Sequence, residues 1–252
     1  MRLYLPPRME SNNPVLSDKT FSSVRAYSGP SMTLDGVTFK SGVLLLLAVL
    51  SAAFSWNAVS TNPGVAMPLV AVGGLGGFVI ALVLMFKQQW APALAPAYAV
   101  LEGFLLGAIS FVFSAKYQYI AFQAAALTMG VLAVMLTLYR LRIVRATEKF
   151  KLGMMAAIGA ICLLYLVNMV MGFFGKPLPF LTSSSPLSIG ISLVIVGVAA
   201  LSLILDFDRI ETAIQSGAPK YMEWYCGFGL LVTLVWVYLE ILRLLSKLND
   251  RR

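Results

Sequence analysis

The chain has 252 residues, 59% of them hydrophobic and 12% charged, with a net charge of +8 and no histidine. Soluble domains carry about 25% charged residues, so this composition excludes an ordinary soluble domain. The missing histidine excludes histidine-ligated metals, Ser-His-Asp and Cys-His triads, and the usual imidazole pH switch.

The apolar residues collect in runs close to the length that crosses a bilayer as a helix, about 20 residues. The alternating pattern of a membrane barrel is absent. Lys and Arg sit in short segments beside those runs, a topological bias rather than a nucleic-acid surface; no nucleic-acid partner is expected. Cys162 and Cys226 lie in apolar runs and read as small buried hydrophobes.

Residues 1–40 form a polar, turn-rich arm without the apolar centre of a signal peptide. Seven spans are expected over residues 41–248. Helix one runs from Ser41 to Val59 and stops at Asn62-Pro63-Gly64. Helix two runs from Val65 to Phe86, with Gly73, Gly74, Gly76 and Gly77 leaving a face that a neighbour can approach closely. Helix three, Pro92 to Ala115, carries Glu102 near its middle beside Gly103 and Gly107. An acid there faces protein or water rather than lipid, either as a pore group or as a structural hydrogen bond. Helix four, Tyr119 to Leu141, leads into the densest basic cluster: Arg140, Arg142, Arg145, Lys149 and Lys151. This cluster anchors the topology. One of its arginines, with Arg140 and Arg142 the candidates, is placed to reach a helix carboxylate, a role the forked guanidinium suits better than an ammonium.

Helix five, Gly153 to Phe174, has Asn168 as its polar spot. Helix six starts near Leu187 and stays apolar to Leu205, followed by Asp206, Asp208 and Glu211. A two-residue step turns a helix by about 200°, so Asp206 and Asp208 cannot share a face. Helix seven, Lys220 to Leu245, carries Glu223 and Glu240. Seven crossings put 13 Lys and Arg on the amino-terminal side and 6 on the other, so the arm and the Arg140–Lys151 loop are expected in the cytoplasm. Four basic residues at the carboxyl end fall on the opposite side. That requires a central last helix that ignores the rule, or one that re-enters.

The chain resembles the Bax inhibitor-1 (transmembrane BAX inhibitor motif) family, in its bacterial YccA-like branch. The likeness rests on SNNPVL at 11–16, LEGFLLG at 101–107, LDFDRIE at 205–211 and VYLEILRLL at 237–245, and spans residues 11–248. It implies an all-α bundle with the last helix central, in the bacterial inner membrane. It also implies a carboxylate pair, one acid late in helix six and one in helix seven, that titrates and gates a cation leak. By motif Asp208 matches the first acid and Glu240 the second, which makes them the implied calcium ligands. The helix-seven acid is usually Asp where this chain has Glu, and the spacing is longer than usual by about two helical turns. Calcium takes oxygen ligands, and two neighbouring carboxylates in low dielectric titrate as a unit.

Hairpin arithmetic points elsewhere. A turn centred near Gly217 sets Asp208 level with Cys226, close to Glu223, and leaves Glu240 level with Val194, about 20 Å or more away. A 208–240 pair therefore needs a kinked or re-entrant last helix, whereas a straight hairpin pairs Asp206 or Asp208 with Glu223. Two functions fit. One is a pH-sensitive cation leak, calcium being the expected ion. The other is a non-transporting regulator that binds a membrane-bound AAA protease or another membrane protein. No enzyme activity and no cofactor beyond bound or transported calcium is expected.

Overall fold

The computed structural model describes residues 29–176 and 178–251; the SNNPVL stretch and most of the arm lie outside them. Seven long helices, each apolar enough to span a membrane, account for the fold. They are α1 (Leu34–Thr61), α2 (Ala66–Phe86), α3 (Ala91–Lys116), α4 (Ile120–Arg140), α5 (Glu148–Phe173), α6 (Pro186–Gln215) and α7 (Met222–Asp250). A one-turn helix, Pro179–Thr182, lies between α5 and α6.

Local chemistry sets the ends. Thr33 caps α1 by accepting from the Gly36 amide, Thr147 caps α5 through the Phe150 amide, and Ser185 caps α6 through the Ser188 amide. Pro63 follows the Asn62 that closes α1. Beyond α6 the chain turns at Gly217, whose φ of 70° suits a residue without a Cβ. Four helices outrun their expected bounds by five residues or more: α5 starts at Glu148 rather than Gly153, α7 runs on from Leu245 to Asp250, and α1 and α6 extend furthest. α1 begins seven residues before Ser41, and α6 continues through Asp206, Asp208 and Glu211 to Gln215. Polar residues end an apolar run without ending a helix, because their backbone groups still pair along the axis.

α7 packs against α1, α3, α4 and α6 and is the central helix. It is one unbroken helix of 29 residues, so it does not re-enter. α5 is the most peripheral span. The glycines act by close approach. A Cβ on Gly103 would lie 1.8 Å from Ser51 Oγ and 2.4 Å from the Ala48 carbonyl oxygen, and one on Gly73 would lie 2.5 Å from the Leu101 carbonyl oxygen. Backbones this close join α1 to α3 and α2 to α3, as small residues allow between membrane helices. Large apolar side chains such as Phe39, Phe86 and Phe173 point outward, as a surface facing hydrocarbon requires. Cys162 is also exposed, rather than buried.

Candidate functional site

Just before α1, a short strap of chain lies across the turn between α6 and α7. Ser31 bridges Pro219, the Met32 amide donates to the Ala218 carbonyl (2.8 Å), and the Lys220 amide donates to the Pro30 carbonyl (3.1 Å). The strap delivers Thr33 to Glu223, which is 1% exposed. Glu223 Oε1 accepts from the Thr33 amide (3.0 Å) and Thr33 Oγ1 (3.2 Å), and Oε2 pairs with the Lys40 ammonium. Lys40 also lies 5.5 Å from the centre of the Trp224 ring.

On α6, the two aspartates part company as their spacing requires. Half-buried Asp206 faces α7 and accepts from Thr233 Oγ1 at 2.6 Å. Asp208 turns toward α5, where Lys151 approaches its Oδ2 at 2.9 Å. Glu211 accepts from the Tyr139 hydroxyl. The basic loop thus supplies a lysine, not an arginine. Arg140 and Arg142 are exposed, and neither makes an ion pair among the described residues. Lys151 lies in the first turn of α5 and reaches α6, whereas Arg142, at φ 56°, is an exposed residue of the loop before it.

Farther along α7, Glu240 is 2% exposed and held from two sides. The Tyr165 hydroxyl of α5 donates at 2.8 and 2.9 Å, and Arg243 Nη1 lies 3.0 Å from each carboxylate oxygen. The guanidinium sits 4.9 Å from the Tyr165 ring centre. Two turns past Glu240, Lys247 is 4% exposed and donates to Ser192 Oγ of α6 at 2.7 Å.

The pairs Asp206–Thr233 and Ser192–Lys247 fix one register for the α6–α7 hairpin, centred between Pro219 and Lys220. In that register Asp208 lies level with Leu231, nine residues short of Glu240 and eight past Glu223, or about 12–13 Å along the axis from either. The structure therefore brings Asp208 together with neither glutamate. The assumed turn centre at Gly217 was too early, because α7 does not begin until Met222. Asp206, Asp208, Glu223 and Glu240 each have their own partner, and among the described residues no group of three or more Asp, Glu, His or Cys gathers to hold a metal ion.

Glu102 is buried against α2, where a Cβ on Gly77 would come within 3.0 Å of its Oε1; its Oε2 has no hydrogen-bond partner among the described residues. Asn168 is not an interior polar group: its Oδ1 accepts from the Leu178 amide at 2.9 Å and secures the loop after α5. Thr233, Tyr165, Arg243, Lys40, Ser192 and Lys247 did not stand out from the sequence. One signal was available: Thr233, Glu240 and Lys247 recur every seventh residue, which keeps them on one stripe of a helix.

The fold and its polar groups together define a polytopic α-helical membrane protein, with most of the interior polar groups on its last two helices. The family model described as Bax inhibitor 1 like matches residues 13–250, and the chain belongs to that family. No curated protein and no solved structure matches the chain.

Proposed function

We propose that the protein is a pH-sensitive cation leak of a bacterial inner membrane, with the α6–α7 seam as the route and calcium as the expected ion. One observation carries this reading. Asp206, Thr233, Glu240, Lys247 and Ser192 follow one another along a single helix interface, whereas Glu102 is the one other buried acid of the spans α1 to α5 among the described residues. Each charged group inside a membrane costs about 2.5–3.5 kcal/mol on insertion scales, so a row of them is kept for function.

Asp206 is the sensing carboxylate in this proposal, replacing the expected two-acid pair. Its only side-chain partner among the described residues is the Thr233 hydroxyl, which gives hydrogen-bond support without a neutralising charge. Lys151–Asp208 is the closing latch at the amino-terminal end of the route, the end whose basic residues favour the cytoplasmic side. The test is calcium and potassium flux through purified protein in liposomes between about pH 5 and pH 8. Asp206→Asn keeps the shape and removes the titration, so its flux is expected to lose pH dependence. A full wild-type pH response in the folded variant would exclude Asp206 as the sensor.

The strap favours a second reading. Residues 30–32 connect the arm directly to the α6–α7 turn, as suits a regulator that receives a membrane-bound AAA protease through its arm. Partner binding by a protein that passes no cation would select it.

A further inference from the structure

Lys247 is the charge that the proposed route leaves unexplained. The residue is 4% exposed and its ammonium has three donors, yet Ser192 Oγ is its one hydrogen-bond partner among the described residues. The acids nearest in sequence are engaged elsewhere. Glu240 is held by Tyr165 and Arg243, and Asp250 by Lys116, Tyr117 and Ser184. No carboxylate pairs with Lys247 among the described residues. A buried cation with no carboxylate in contact is costly to the structure that holds it, and a purely packing role would be met as well by methionine or leucine.

Position supplies a reason for the charge. Thr233, Glu240 and Lys247 lie on one stripe of α7, with Asp206 facing the first and Ser192 facing the last. Lys247 thus ends the seam at the carboxyl-terminal side. One turn nearer the start of α6, Ser188 buries an Oγ that has no partner among the described residues. An ammonium is a compact cation on a flexible stem. Here it sits on a serine hydroxyl, in line with the interior acids, where a cation moving along the seam would also have to pass.

We propose that Lys247 is a tethered cation that plugs the outer end of the α6–α7 seam, filling a cation position and repelling ions that approach it. The plug rests on the cation-leak reading, and the experiment separates the two. Potassium flux is measured in liposomes for wild type, Lys247→Met, Lys247→Arg and Lys247→Cys, with folding checked by circular dichroism and gel filtration.

Removing a like charge from a narrow low-dielectric path raises cation flux about tenfold or more in Lys247→Met, while Lys247→Arg stays near wild type. In Lys247→Cys, an aminoethyl thiosulfonate rebuilds a positive side chain and closes the leak, whereas a neutral methyl thiosulfonate leaves it open. Wild type treated alongside controls for Cys162 and Cys226. The Cys variant also keeps the test decisive if Lys247→Met does not fold. Wild-type flux with no increase in the neutral variants overturns the plug and leaves the leak standing. Silence in every protein overturns both. A silent wild type with conducting neutral variants supports the plug.

Discussion

At Glu223 a single carboxylate takes two hydrogen bonds from Thr33 and an ion pair from Lys40, all from chain nearly 190 residues away. With side-chain exposures of 14% and 1%, Lys40 and Glu223 are far less screened than a surface pair. Lys40→Met leaves the buried carboxylate short of its cation and is expected to destabilise the protein by about 3 kcal/mol, read as a lower thermal midpoint in detergent. A midpoint equal to wild type would show that the pair does not hold α1 to α7. Lys151–Asp208 is different, with both side chains partly exposed. Lys151→Ala should barely move the midpoint, so any change in its cation flux reports on the latch rather than on folding. The sequence pointed to these acids individually, since a carboxylate in an apolar run stands out. It did not reveal their partners, because a partner depends on the rotation of a second helix, and a lysine or threonine there looks ordinary.

Between elements, packing is decided by backbone approach more than by side-chain interlocking. Gly103 meets Ser51 and Ala48 of α1 so closely that even a methyl group overlaps. Gly103→Ala is expected to cost about 1–3 kcal/mol, the range for overpacking. Gly130→Ala in α4 has nothing within 4 Å of the added Cβ and should be neutral or slightly stabilising. Equal midpoints for the two variants would contradict a close α1–α3 contact. The seven spans were legible because bilayer thickness fixes the length of an apolar run. Their ends were not: α1 takes in Leu34 to Lys40, and α6 takes in three acids. The hairpin register missed by five residues for the same reason, since one misplaced helix start shifts every level along the pair.

For the whole molecule, an odd number of crossings sends the two ends to opposite faces. The Asp250 contacts with Lys116 and Ser184 gather the far ends of α7 and α3 with the loop before α6. The basic residues predict a cytoplasmic arm; on that topology a cysteine placed at Thr182 in a Cys162→Ala background should react with an impermeant reagent in intact cells, and one at Thr147 should not. The opposite pattern would invert the topology. Of the two accounts of the four basic residues at the carboxyl end, the central position of α7 favours the first, since a helix enclosed by α1, α3, α4 and α6 is held by its neighbours. The strap carries a mechanical consequence. Residues 30–32 are fastened to 218–220 before the first turn of α1 begins. A load applied to the arm therefore arrives at the hinge between the last two helices first, and α1 feels it only after that fastening gives way.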